Sequence, residues 1–164
     1  MILSKKVKNS VEQSLGFISF FLLKNCQNER NLIGLTGSYD NKKMKFSLCC
    51  KICEQLSQTK RVALVDLDCS EKLKDPKNFS IKYCESGISK TEFKKILDGF
   101  CDCDFVIVNV PCVLSNSNSL FYLEMCDKVF MVERYMYTKY CDYERSIYLL
   151  ETGGVDVSGV ISYD

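Results

Sequence analysis

A chain of 164 residues, of which 46% are hydrophobic and 26% charged, is long enough for one domain with a well-buried core. The formal net charge of +1 provides no global attraction for nucleic acid or an anionic membrane, so we expect no nucleic-acid partner. The sequence has no His, which removes the commonest general base and metal ligand. Its eleven Cys are odd in number and fit reduced cytoplasmic thiols better than a disulfide scaffold.

The first third of the chain alternates helical and strand patterns. Residues 4–26 carry apolar side chains at helical spacing and predict a helix packed on the core, or alternatively a surface for a membrane protein partner. Its most apolar run, Phe17–Leu23, is too short to cross a bilayer, so no transmembrane segment is expected. Asn31–Thr36 predicts a buried strand, Gly37–Lys43 a loop, and residues 44–58 a second helix.

The remaining two thirds continue the alternation. Arg61–Leu67 and Asp104–Val110 are apolar without alternation, which is typical of strands buried on both faces. Residues 69–88 are polar and predict irregular structure, whereas Ser89 and Glu92 form a capping box that begins a helix. Four more elements are predicted, namely a short helix near residues 118–126, a strand at Lys128–Val132, a helix at about 139–151 capped by Thr138, and a strand at Val157–Ser162.

This order of elements predicts a three-layer α/β fold, in which a mostly parallel sheet of about five strands is flanked by helices. The first three predicted strands should be central, because only burial on both faces explains their unbroken apolar runs. We expect a single domain over residues 1–164, with residues 1–30 forming an N-terminal helix packed on it. Ligands of such sheets lie at the carboxyl ends of the strands.

The segments LIGLTGSYDNKKMKFS, KRVALVDLD, CDFVIVNVPCVL and CDKVFMVE occur in an order and spacing that resemble the MinD/ParA-type P-loop ATPases. Within that group the chain is most similar to the bacterial tyrosine kinases of capsule and exopolysaccharide export. Those kinases typically read IxxTSxxxGEGKS, then KRVLLIDxD, then YDxVIIDTPP. The resemblance implies a P-loop NTPase-like fold, and active members of the group bind ATP and Mg²⁺.

The phosphate-binding loop departs from the pattern of that family. Such a loop needs glycines so that backbone N–H groups reach the phosphates, a Lys for the β and γ phosphates, and a Ser or Thr for Mg²⁺. The two glycines fall at Asn41 and Lys43, the Lys at Met44, and the Ser or Thr at Lys45. The Walker B carboxylate falls at Asn109. The degenerate loop therefore comprises Gly37, Ser38, Asn41, Lys42, Lys43, Met44 and Lys45.

Two charged groups remain near this loop. Asp66 and Asp68 match two metal-related Asp residues of the kinases, but without a Ser, Thr or Walker B partner we interpret them as a structural pair that caps backbone N–H groups. Lys42, Lys43 and Lys45 are interpreted as a solvated basic loop, or alternatively as a site for phosphate or an acidic segment. We expect no metal site.

Tyr135, Tyr137, Tyr140 and Tyr143 follow the fourth predicted strand. If exposed, they mark a protein-binding surface, because aromatic residues dominate interface hot spots. They could also be phosphate acceptors of a genuine kinase. The plainer alternative is that about half of them are core or amphipathic surface residues.

The preferred hypothesis is a non-catalytic binding or regulatory module, a pseudokinase with no catalytic residues and no cofactor beyond weak ATP and Mg²⁺ binding. By resemblance it would act in capsular or exopolysaccharide biosynthesis in the bacterial cytoplasm. A protein partner, such as a membrane chain-length regulator or an active homologue, would recruit it to the inner face of the membrane. The alternatives are an unorthodox active ATPase or tyrosine kinase that uses Lys42 or Lys45, and a ParA-like positioning scaffold.

Overall fold

The computed structural model describes residues 2–68, 72, 76 and 78–163, with side chains from Ser14 onward. The helices are α1 (Ile2–Asn25), α2 (Lys42–Leu56), α3 (Lys90–Asp98), α4 (Ser119–Glu124) and α5 (Tyr140–Thr152). The strands are β1 (Asn31–Thr36), β2 (Val62–Asp66), β3 (Ser80–Tyr83), β4 (Phe105–Asn109), β5 (Lys128–Arg134) and β6 (Val157–Tyr163).

The strands form one parallel sheet in the order β3-β2-β4-β1-β5-β6. This confirms the predicted parallel α/β fold and the central position of β1, β2 and β4, which are buried along their whole length. The described ranges contain six strands rather than about five, because β3 forms in the stretch predicted to be irregular. β3 is a four-residue edge strand whose residues alternate between exposed and half-buried positions, so its sequence has no long apolar run to reveal it.

Helices cover both faces of the sheet, which gives the three predicted layers. On one face, α1 and α2 bury Leu15, Leu22 and Phe46 against β1 and β5. On the other face, α3, α4 and α5 pack their apolar residues against the same strands. Gly34 explains how closely α4 approaches β1, because a Cβ atom there would lie 2.8 Å from Cδ2 of Leu123. Layers packed this tightly hold the strand ends in fixed positions.

The C-terminal half of α1 packs on the core, because the side chains of Leu15 and Leu22 are buried between α1 and the sheet. The outward side of α1 carries exposed Phe17, Phe20 and Phe21. No helix in the described part of the chain is long and apolar enough to cross a membrane.

Candidate functional site

The candidate site lies at the carboxyl edge of the sheet, where the ends of four strands bring polar side chains together. The loop Gly37–Asn41 follows β1. Asp66 ends β2 and Asp68 lies two residues beyond it, Asn109 ends β4, and Glu133 lies near the end of β5. Helix α2 begins at Lys42, two residues before the predicted start, so Lys42 and Lys43 belong to its first turn. In parallel sheets the central residues of each strand are apolar and buried, and polar side chains that bind ligands lie at the carboxyl ends.

Lys45 points inward from the first turn of α2, and its side chain is only 6% exposed. Its Nζ lies 2.9 Å from Oδ2 of Asp68 and also donates a hydrogen bond to the backbone oxygen of Val110. A buried ammonium needs such partners, because transfer from water without compensation is costly. The interpretation of the three lysines as a solvated loop is therefore wrong for Lys45.

Lys42 adds a second, weaker cation to Asp68, with its Nζ 3.7 Å from Oδ1 and about half of its side chain exposed to solvent. Solvent screens this contact far more than the buried one. Lys43 and Met44 lie in the same turn with exposed side chains. The lysine cluster thus divides into one buried cation, one half-exposed cation and one exposed cation.

Asp66 and Asn109 form a buried pair across neighbouring strands, since their Cα atoms are in register between β2 and β4. Asn109 Nδ2 donates to Asp66 Oδ1 at 2.8 Å, and the backbone N–H of Asp68 donates to the same oxygen at 3.1 Å. Asp66 therefore accepts from a backbone N–H group, whereas Asp68 forms ion pairs with lysines. Burial raises the pKa of Asp66.

Two oxygens of this pair, Oδ2 of Asp66 and Oδ1 of Asn109, have no hydrogen-bond partner among the described residues. An unpaired carboxylate oxygen in a dry position disfavours the ionised form. A proton on Asp66 would turn that orphaned acceptor into a donor, in agreement with the raised pKa.

Glu133 was missed by the sequence analysis, which ended the strand at Val132. It is buried and accepts three hydrogen bonds, from the backbone N–H of Ser38 at 2.8 Å, from Ser38 Oγ at 2.7 Å and from Thr138 Oγ1 at 2.8 Å. Thr138 therefore does not cap α5, whose N-cap is Lys139 without a side-chain hydrogen bond. A single carboxylate directly after the apolar run KVFMV was the signal available in the sequence.

The end of the loop after β1 is attached to the end of β6 by a small polar cluster. The hydroxyl oxygens of Tyr39 and Tyr163 are 2.5 Å apart, and Asn41 Nδ2 donates to both of them. Burial raises the pKa of the Tyr163 hydroxyl well above its usual range. Asn41, which stands at the position of a loop glycine in the family pattern, is thus bonded to the last residue of β6.

Three of the four predicted tyrosines share one exposed surface. Tyr135, Tyr137 and Tyr140 are 64%, 66% and 73% exposed, with Met136 between them at 87%. We call Tyr135, Met136, Tyr137 and Tyr140 the aromatic surface. Arg134 stacks on Tyr137, with its guanidinium carbon 3.6 Å from the ring centroid. Tyr143, in contrast, is half-buried and packs against the core between the sheet and α5.

The side chains present do not fit Mg²⁺. A hard divalent cation requires free carboxylate or hydroxyl oxygens, but the Asp68 carboxylate is already paired with Lys45, and no hydroxyl stands at position 45. Burial also disfavours the ionised form of Asp66, the other carboxylate of the site. Within the described ranges, no group of three or more Cys, Asp or Glu side chains is placed to hold a metal ion.

No protein-family model and no curated protein sequence matches this chain. Solved structures do match it. The kinase domain of the Escherichia coli tyrosine kinase ETK superposes with a TM-score of 0.75 at 17% identity, over 93% of this chain and 74% of that chain. The VpsO kinase domain gives a TM-score of 0.73 at 14% identity, over 99% and 98% of the two chains.

The cell-division protein MinD of Aquifex aeolicus gives a TM-score of 0.63 at 18% identity, over 80% of this chain and 68% of that chain. A ParA family ATPase from Chlorobium tepidum has the same fold. This chain has the MinD/ParA-like P-loop fold of the bacterial tyrosine kinase domains. The predicted fold resemblance is therefore confirmed, and at these identities the likeness is one of fold.

Proposed function

We propose that this chain is a non-catalytic binding or regulatory module built on the tyrosine kinase-like P-loop fold. The observation that carries the proposal is the Lys45–Asp68 ion pair, 2.9 Å long and at most 6% exposed at either side chain. The family motif places the Mg²⁺-binding hydroxyl at position 45. An ammonium group at this position neutralises the carboxylate from inside the protein and repels a divalent cation by its own charge.

The other substitutions act in the same direction. Asn109, at the Walker B position, donates to Asp66 instead of contributing a second negative charge. Met44, at the position of the phosphate-binding Lys, is uncharged and 43% exposed. Because phosphoryl transfer depends almost entirely on positioning and electrostatic stabilisation, the combined losses leave little turnover.

Without nucleotide to organise the carboxyl edge, a protein is the natural ligand of this surface. The aromatic surface next to this edge provides exposed Tyr side chains and a stacked Arg, the residue types enriched at binding hot spots. The proposed context is capsular or exopolysaccharide biosynthesis in the cytoplasm of a bacterium, with a membrane chain-length regulator or an active homologue as partner. The proposed unit is a single domain over residues 1–164.

Calorimetric titration with ATP and ADP, with and without Mg²⁺, followed by a turnover assay, tests the proposal. We expect no binding at micromolar affinity and hydrolysis at background. A variant with the loop restored, Asn41→Gly/Lys43→Gly/Met44→Lys/Lys45→Ser, serves as the comparison and should gain nucleotide affinity. Tight Mg²⁺-dependent ATP binding by the natural sequence, or turnover that Asp66→Ala abolishes, would show that the chain is an unorthodox enzyme.

A further inference from the structure

The outermost strand of the sheet, β6, has an unprotected edge. It pairs with β5 on one side, and no strand of the described ranges lies on its other side. Its sequence, VSGVISY, contains no charged residue and no Pro, the devices with which monomeric proteins protect exposed edges. An edge of seven residues without these devices is suited to pairing with another strand.

The direction of the backbone groups identifies which residues are free to pair. The carbonyl oxygen of Tyr163 accepts from the backbone N–H of Tyr135 at 2.7 Å, so the backbone groups of Tyr163 face β5. Backbone direction alternates along a strand. The N–H and C=O groups of Val160 and Ser162 therefore point to the free edge. The alternation does not extend to Ser158, because the pairing with β5 shifts by one residue between Val129↔Val157 and Phe130↔Gly159. The side chains of all three residues are exposed.

An apolar groove runs alongside this edge. It is lined by Phe17 and Phe21 of α1, by Phe130 of β5, and by Gly159 and Ile161 of β6. Phe21 packs edge-on against Phe130, with 6.0 Å between the ring centroids, so α1 lies over β5 and the groove stays open between α1 and β6.

The outward-facing rings of α1 are unusually exposed for a helix that packs on a core. Phe17 is 77% exposed, Phe20 63% and Phe21 41%. Together they expose roughly 300–400 Å² of aromatic surface per chain. A patch of that size on a single chain often has a function.

We propose that β6 pairs antiparallel with β6 of a second copy of this chain, across a two-fold axis through Val160. In this register Val160 opposes Val160, Ser158 of each copy opposes Ser162 of the other, and Gly159 opposes Ile161. The outward-pointing backbone groups of the two Val160 residues then exchange a pair of hydrogen bonds at the axis, and those of Ser162 in each copy face the Ser158 segment of the other.

The sequence of β6 is complementary to itself about Val160, which favours a second copy over an unrelated strand. On the exposed face, Ser meets Ser and Val meets Val, and such pairs stabilise a sheet. On the face towards α1, the smallest residue, Gly159, meets Ile161. Within Val157–Tyr163 the pairing brings no charged residues together. A two-fold axis requires such complementarity, because each copy presents the same surface.

The same axis brings the two α1 helices together on one face of the combined sheet. The two β5 strands would be separated by three strand spacings, or about 14 Å. Helices in direct contact pack about 8–10 Å apart, so large side chains are needed to fill this gap. Phe17 of each copy, which lines the groove beside β6, would meet its counterpart there. With the strand edges, the buried area reaches roughly 1,000 Å² in total, at the low end for a specific interface, so the dimer should be reversible.

Sedimentation velocity across a concentration series tests the proposal. The natural sequence should form a dimer with a dissociation constant of about 1–100 µM. Val160→Lys places two ammonium groups opposite each other at the axis and should weaken the dimer at least about tenfold. Phe17→Ser should weaken it by a similar factor. Ser80→Lys, which adds the same charge to an exposed position on the opposite edge strand β3, is the matched control and should dimerise normally.

The thermal midpoint of each variant, measured at a concentration where the natural sequence is monomeric, should be unchanged, which separates a lost interface from a lost fold. A natural sequence that stays monomeric at about 200 µM would overturn the proposal, as would a dimer that Val160→Lys leaves intact. Co-sedimentation of that monomer with anionic vesicles, abolished by Phe17→Ser/Phe20→Ser, would assign the groove to a lipid surface instead.

Discussion

The ammonium group of Lys45 lies 2.9 Å from the carboxylate of Asp68, and both side chains are almost fully buried. Removing one partner of such a pair leaves an uncompensated buried charge, whereas removing both does not. Lys45→Met alone, and Asp68→Asn alone, should each lower the free energy of unfolding by about 3–5 kcal/mol. The double variant Lys45→Met/Asp68→Asn should lose much less than the sum. Urea denaturation measures all four proteins, and strictly additive losses would refute the ion pair.

Asp66 should affect stability in the opposite direction. Burial raises its pKa, so the protonated form is favoured in the folded state. The stability that Asp66 contributes through this shift is fully present below the unfolded pKa of about 3.9. It is lost as the pH rises through the raised pKa of the folded state. Asp66→Asn mimics the protonated form, so it should match the natural sequence in stability at acidic pH and exceed it at pH 7.

Asp104→Asn is the matched control for this pH dependence. The backbone N–H of Arg61 donates to the Asp104 carboxylate at 2.8 Å and holds its pKa below the usual value. Its contribution is present above the unfolded pKa and is lost as the pH falls, so Asp104→Asn should lower stability at neutral pH. Thermal unfolding between acidic and neutral pH checks both signs. An Asp66→Asn variant that is less stable than the natural sequence at pH 7 would contradict the raised pKa.

Glu133 should be necessary for the structure of the loop after β1. Its carboxylate accepts two hydrogen bonds from Ser38 and one from Thr138. Glu133→Ala leaves these three donors without an acceptor and should lower the free energy of unfolding by about 2–4 kcal/mol. Glu133→Gln keeps one carbonyl acceptor and a similar shape, so its loss should be about half as large. Equal losses in the two variants would indicate that packing, rather than hydrogen bonding, is what Glu133 contributes.

The aromatic surface should matter for binding and not for folding. Tyr135→Ala/Tyr137→Ala should weaken the binding of a protein partner by about 1–3 kcal/mol for each anchoring ring that is removed. The thermal stability of the variant should be almost unchanged. Pull-downs from the native organism compare this variant with Lys42→Glu/Lys43→Glu, which tests the basic turn of α2. Tyr148→Ala, at a tyrosine 66% exposed on α5, is the control. Retention of every partner by both double variants would remove this surface from the proposed function.

The fold was predictable from the sequence where burial leaves a strong pattern. The runs at β1, β2 and β4 are apolar because both faces are covered, and the capping box of Ser89 and Glu92 is present at the start of α3. β3 was not predictable, since a four-residue edge strand with Ser80 and Lys82 in alternate positions looks like a polar loop.

The candidate site was predictable by position but not by contact. The carboxyl ends of parallel strands meet at one edge of the sheet, and this correctly predicted that Asp66, Asp68 and Asn109 lie close together. Composition alone could not show that Lys45 turns inward, because a lysine at the start of a helix is usually solvated. The role of Glu133 depends on Ser38, which is 95 residues away in the chain. A local sequence pattern cannot predict a contact between residues so far apart.

The Glu133 carboxylate also connects two loops that would otherwise move separately. Ser38 belongs to the loop after β1, and Thr138 lies after β5, between Tyr137 and Tyr140 of the aromatic surface. The amide proton of Ser38 can exchange with solvent only when its bond to Glu133 opens. Hydrogen exchange at this one amide should therefore slow when a partner binds the aromatic surface. The exchange rate of a single amide in the degenerate phosphate loop would then show whether the neighbouring surface is bound.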